Sequence, residues 1–446
     1  MKFSSKLIAA AALAYAALPA SLAPAKPVEI NASLSQSIVP TGKARKLYLR
    51  IGLTSPRIEK THARAPLNIA LVIDRSGSMS GRKIEAARNA AIMALDRLSS
   101  DDIVSVISYD DRIDVLVPAT RATSLSTMKA RIRGLTSRGS TAIYAGVTTG
   151  ANEIRKFASS ERVNRIILLS DGLANVGPNR PEQFASLGRE LASEGIVVST
   201  IGLGLKYNED LMTTLAKAAD GNHAFVQEPH DLQAFFAKEF DDAQNIVAQN
   251  IEIIIHCQEG VIPKRSLGRS ARIEGNRIIY KLGQLIGGSQ QTLLVELESN
   301  LTAPNAKAGI ARISLAYRGN NEQQHRATTT IAANVSTDHA AAKTSYHRNI
   351  MREVTLLEAR RRKDQAIRLR DKGRYKEAKK KFLDNASAIT KSMSTYGFQA
   401  SSALQQEQKA NEDAARLKVR DRRSWNKQRK LMRQQNMNAP GASTRY

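Results

Sequence analysis

The run Asn68-Ile-Ala-Leu-Val-Ile-Asp74-Arg-Ser76-Gly-Ser78-Met79 constrains this chain more than any other stretch. Five consecutive apolar residues, Ile69 to Ile73, leave no polar face, which is the pattern of a strand covered on both sides in a parallel sheet. The turn that follows then lies at the carboxyl edge, where open α/β sheets bind ligands at the point of strand-order reversal. Asp74, Ser76 and Ser78 alternate, so they offer a carboxylate and two hydroxyls on one side of an extended turn that Gly77 lets fold tightly. Hard oxygen donors with few charges suit Mg²⁺, which prefers near-octahedral geometry and keeps waters or an outside ligand in its shell.

Two later stretches supply the missing donors. Arg138-Gly-Ser-Thr141-Ala-Ile-Tyr-Ala-Gly146 sets a threonine at a glycine-flanked turn that opens a helix, and Arg165-Ile-Ile-Leu-Leu-Ser-Asp171-Gly172 repeats the order of apolar strand, aspartate and glycine. Alone, Asp-x-Ser-x-Ser is a common turn; followed by the Thr turn and the strand-ending Asp-Gly it is specific. Together they resemble the von Willebrand factor type A domain and its metal-ion-dependent adhesion site, over residues 67–245. The resemblance implies that Asp74, Ser76, Ser78, Thr141 and Asp171 hold Mg²⁺, or Mn²⁺ or Ca²⁺ in its place. It also implies that an Asp or Glu carboxylate of a partner protein completes the shell.

Around this unit the hydrophobic period changes. Between Leu67 and Gln244, apolar strands alternate with amphipathic helices such as Lys83 to Leu98, which predicts a doubly wound, mainly parallel sheet. Residues 26–66 and 246–338 read instead as half-buried antiparallel strands, so we expect the α/β unit to be inserted into a β-sandwich. Framing strands of this kind accompany such domains in secreted bacterial relatives and in the inter-alpha-trypsin inhibitor heavy chains, as an implication of the resemblance. Residues 339–396 read as a helical hairpin of tetratricopeptide type, with Gly373 and Tyr375 at its turn and Ala378, Phe382 and Ala386 on its inner face. From residue 397 the chain is basic and polar; residues 404–433 are expected to form a frayed helix and residues 434–446 to be disordered.

Residues 1–25 have a basic start, an Ala/Leu-rich run and small residues, which reads as a secretory signal and places the protein in the bacterial periplasm or outside the cell. Only one cysteine exists, so an intramolecular disulfide is impossible, and its position on a strand face with Ile251, Ile253 and Ile255 makes Cys257 a core thiol. The net charge of +26 is uneven: residues 348–381 carry 14 Lys/Arg against 5 Asp/Glu, and residues 401–446 carry 11 against 4. Such a C-terminal region suits an anionic envelope surface, and less readily nucleic acid.

Chemistry other than binding lacks residues. There is no His-Glu-x-x-His or Gly-x-x-x-x-Gly-Lys motif, and His223, His230 and His256 fall at positions suited to structural roles. The leading expectation is therefore a non-enzymatic, divalent-cation-dependent adhesion or scaffold protein of the cell envelope. A polyanion or RNA binder acting through the basic C-terminal region, and a metal-dependent hydrolase or chelatase accessory, are the alternatives.

Overall fold

The computed structural model describes residues 27–42, 44–57, 64–304, 307–319, 323–437 and 444–445. The secretory segment expected at residues 1–25 lies outside them. No helix among the described residues is long and apolar enough to cross a membrane.

Strands β1 (Glu29–Leu34), β2 (Ile38–Pro40) and β3 (Arg45–Thr54) come first. The chain then enters an α/β unit of β4 (Leu67–Asp74), α1 (Arg82–Leu95), β5 (Ile103–Tyr109), β6 (Ile113–Arg121), α2 (Leu125–Arg133) and α3 (Ile143–Arg155). It continues through β7 (Val163–Ser170), α4 (Pro181–Ser193), β8 (Ile196–Leu203), α5 (Glu209–Ala218), β9 (His223–Val226) and α6 (Leu232–Gln244). The sheet order is β6-β5-β4-β7-β8-β9, parallel except for β6. All eight residues of β4 are buried, because α1 and α6 cover one face of the sheet and α3, α4 and α5 the other. The chain steps from β4 to β5 on one side and later to β7 on the other, so strand order reverses at β4. Strand β6 was not anticipated: Pro118 and charged residues interrupt its pattern, which an edge strand tolerates.

Strand β10 (Ile246–Cys257) follows α6 directly, and β11 (Val261–Leu267), β12 (Arg272–Glu274), β13 (Arg277–Ile286), β14 (Ser289–Ser299), β15 (Lys307–Gly319) and β16 (Gln324–Ser336) complete two further sheets. One runs β1-β3-β14-β11 and the other β12-β13-β10-β15-β16-β2, and their inner faces share one core. The N-terminal strands thus serve both sheets, with β3 pairing over its full length with β14. Cys257 is buried in this core and burial pushes its thiol up to about 11.

The C-terminal region is helical: α7 (His339–Thr344), α8 (Arg348–Asp371), α9 (Tyr375–Tyr396), α10 (Ser402–Arg416) and α11 (Arg422–Met437). Helices α8 and α9 form the expected hairpin, turning at Gly373 with φ +76° and burying Ala378, Phe382 and Ala386. The expectation of a frayed, then disordered, tail from residue 397 is corrected. Residues 402–437 form two packed helices, and Thr444–Arg445 pairs with β14; residues 438–443 and 446 lie outside the described residues. The cause is a polar interior that hydropathy cannot register. Lys363, with no exposure, bonds Glu407 at 2.6 Å, Asn385 bonds Asn411 at 3.0 Å, and the Arg370 guanidinium lies 4.3 Å from the centre of the Trp425 ring.

Candidate metal centre

Three loops meet at the carboxyl edge of β4, and backbone hydrogen bonds fasten them together. Gly77 N donates to Gly139 O at 3.0 Å, Arg138 N to Arg75 O at 2.7 Å, and Arg75 N to Tyr109 O at 2.9 Å. Gly139 has φ +68°, which L side chains rarely adopt, and a Cβ there would crowd the buried Asp110 at 3.1 Å, so this turn strains any side chain. Opposite it, Asn175 Oδ1 accepts from Thr141 N at 2.7 Å while Asn175 N donates back to Thr141 O at 3.2 Å.

This fastening brings all five sequence-identified residues to one place. Ser76 Oγ lies 3.1 Å from Ser78 Oγ, and Ser78 Oγ donates to Asp171 Oδ1 at 2.6 Å. A Cβ built on Gly172 would meet Thr141 Oγ1 at 3.0 Å and Ser78 Oγ at 3.4 Å, which puts both hydroxyls beside the Asp171 loop. Asp74 completes the group from the end of β4: its Oδ1 accepts from Ser76 N and its Oδ2 from the Ser170 hydroxyl, each at 2.7 Å. Both carboxylates have no exposure. Burial pushes the Asp74 carboxyl up to about 6 against the pull of Ser170 and Ser76, and the charge of Asp171 adds to the rise.

Several residues that the sequence did not single out take part. Lys83, in the first turn of α1, sets its ammonium on Asp171 Oδ2 and donates to Ser78 O at 3.2 Å. Ser170 and Asn175 orient Asp74 and Thr141 respectively. Arg75 points away from the cluster, ion-paired with Asp110 at 2.9 Å and with Asp114, and so braces the loop from behind. Their neighbours in sequence carry no pattern that announces these roles.

The donor set fits a hard divalent cation. Two carboxylates and three hydroxyls supply only oxygen, and each carboxylate keeps lone pairs beyond those its protein partners use. The contact of Lys83 with Asp171 shows that the pocket favours positive charge. No cluster of three or more His, Cys, Asp or Glu able to hold a metal occurs among the described residues, so a cation at this edge would rely on the hydroxyls. The three histidines considered above have other partners: His223 is buried between Thr200 and Tyr207, His230 pairs with Asp231, and His256 bonds Asn276. Burial holds the His223 ring neutral, down to about 3.

Comparison with known proteins agrees with the α/β unit. Residues 68–248 match the family model described as von Willebrand factor type A domain. The "Uncharacterized protein sll0103" of Synechocystis sp. is 26% identical over 279 residues, 60% of this chain and 65% of that protein. Inter-alpha-trypsin inhibitor heavy chain H3 of Mus musculus is 30% identical over 197 residues, 42% of this chain and 22% of that one. The chain thus spans less than two thirds of the length of either relative. A solved structure described as von Willebrand factor type A from Catenulispora acidiphila superposes with a TM-score of 0.71 at 15% identity, covering 87% of this chain and 91% of its own, which shows a shared fold.

Proposed function

Since the chain carries a von Willebrand factor type A domain at residues 68–248, we propose that it is an exported, divalent-cation-dependent protein-binding molecule of the bacterial envelope. Asp74, Ser76, Ser78, Thr141 and Asp171 would hold the cation, Mg²⁺ by the hardness of its donors, with Mn²⁺ or Ca²⁺ as substitutes. When bound, the cation supplies a positive, electron-poor point that an acidic group can approach. Everything else is done by the protein. Gly77, Gly139 and Asn175 fix the loops, Ser170 and the Ser76 amide orient Asp74, and the Asp171 loop presents Leu173, 60% exposed, beside the rim. A partner protein offering an Asp or Glu side chain together with an apolar neighbour suits that rim. Binding is favoured over turnover, because the one base on a cluster hydroxyl, the Asp171 carboxylate beside Ser78, is already neutralised by Lys83 and is too weak to make that hydroxyl a nucleophile.

The observation that carries this reading is the convergence of hydroxyls from two loops on the buried Asp171 carboxylate. Calorimetric titration of the protein with Mg²⁺ and Mn²⁺ tests it. Saturable binding that Asp171→Ala weakens at least about tenfold is expected, together with capture of an envelope protein that chelator abolishes. Cation binding indifferent to both Asp74→Ala and Asp171→Ala would refute the site.

A further inference from the structure

Part of the positive charge of residues 401–446 is paired within the molecule. In α11, Arg429 is held by Glu209, Asp210 and Asp371, Lys430 donates to Glu209 at 2.5 Å and Tyr207 O at 2.8 Å, and Arg433 pairs with Asp364 and Asp210. These cations are spent inside the molecule. The outer face of α9 is different. Lys376, Lys379, Lys380, Leu383, Ser387 and Lys391 are all exposed and recur at helical spacing, a stripe roughly 22 Å long at about 1.5 Å per residue. Ala378, Phe382, Asn385, Ala386 and Ile389 on the opposite side anchor the helix. Among the described residues, no carboxylate pairs with Lys372, Lys376, Lys379, Lys380 or Lys391, whereas the nearby Glu377 is neutralised by Arg374 and Asp371 by Arg429. Asp384 is the acidic residue left on this side. Two apolar side chains stand out among the lysines, Tyr375 at 41% and Leu383 at 45% exposure.

We propose that the α9 face is a docking surface for an anionic phospholipid bilayer. A rigid row of ammonium groups is complementary to a sheet of phosphate headgroups, and lysine, a compact point charge, needs no fixed partner geometry there. Leu383 and Tyr375 interleave the charges as the apolar side chains of interfacial helices do, and reach below the headgroup plane. A nucleic-acid strand would instead call for a row of aromatic faces on which bases stack, and among the described residues of this face Tyr375 is the one exposed aromatic. The surface is independent of the metal centre. It would hold the molecule flat on a membrane through its helical end and leave the α/β unit to bind its own partner.

Sedimentation of the full chain with equimolar phosphatidylglycerol and phosphatidylcholine vesicles tests this, with pure phosphatidylcholine vesicles and a single-stranded oligonucleotide as competing probes. We expect binding to the anionic vesicles alone, falling steeply with salt. Each of Lys376→Gln, Lys380→Gln and Lys391→Gln should weaken it roughly fivefold, while Leu383→Ser weakens binding without changing the salt slope. Thermal melting identical to that of the wild type confirms that these exposed substitutions leave the fold intact, and Asp74→Ala should bind vesicles normally. Equal binding to neutral vesicles, a lysine triple variant that sediments like the wild type, or a preference for the oligonucleotide would overturn the proposal.

Discussion

A carboxylate with no exposure needs a positive charge nearby, and at Asp171 two can serve: the proposed cation and the ammonium of Lys83. Lys83 is 30% exposed, so its four-carbon stem can swing into water, whereas Asp171 cannot follow. Lys83→Met should therefore destabilise the protein in chelator by about 1–3 kcal/mol, as leaving a buried acceptor without its partner does, and Mg²⁺ should restore the loss. The same substitution should tighten Mg²⁺ binding, since nothing has to be displaced. Melting curves in EDTA and in Mg²⁺, with a calorimetric titration, check both; a variant that melts like the wild type in EDTA would show that the ammonium does not neutralise Asp171. The five clustered residues could be read from the sequence because each closes or follows a strand or opens a helix whose pattern is local. Lys83 could not, since Arg82 beside it is equally cationic and only the turn of α1 decides which one faces the cluster.

At the scale of elements, apolar periodicity located the α/β unit apart from its edge strand β6, but failed where polar groups fill the interior. Helices α10 and α11 look solvated because Glu407, Asn411 and Lys430 occupy buried positions that a simple pattern would give to leucine. Their order rests on partners distant in sequence. Lys430 lies 3.7 Å over the Tyr207 ring, and Arg429 joins α5, α8 and α11 through Glu209, Asp210 and Asp371. Arg429→Ala removes the cation that Glu209, Asp210 and Asp371 share, leaving Lys430 on Glu209 and Arg433 on Asp210, and should cost about 1.5–3 kcal/mol. Hydrogen exchange should show protection falling first across residues 422–437, while the parallel sheet keeps its slow amides. Uniform loss of protection, or none, would mean that this ion-pair network does not fasten α11 to the α/β unit.

For the whole molecule, the parts differ in how much they depend on one another. Both cores of the α/β unit draw their buried residues from positions 65–246, so this unit contains what it needs. The sandwich core combines residues 28–53 with residues 248–333, and the helical region in turn packs Ile350, Val354 and Leu357 against Tyr48, Leu267 and Leu294 on the outside of that sandwich. The sequence revealed the two kinds of strand, but not that β3 would be central, since its neighbours β1 and β14 lie on opposite sides of the insertion. A chain starting at residue 64 loses Leu47, Leu49, Ile51 and Leu53, each with no exposure. At about 1.5–3 kcal/mol per side chain, their loss is of the order of the net stability of a whole domain. The sandwich and the helices resting on it should therefore lose fixed packing, while the parallel sheet and its Mg²⁺ site persist. Limited proteolysis should leave a resistant fragment spanning roughly residues 64–246, and dye binding should report the inner face of the opposing sheet, whose Ile253, Ile255 and Ile313 share a core with those leucines and Ile51. Protection of β10 to β16 at the wild-type level in that truncated chain would show that the inserted unit, rather than the N-terminal strands, holds the sandwich together.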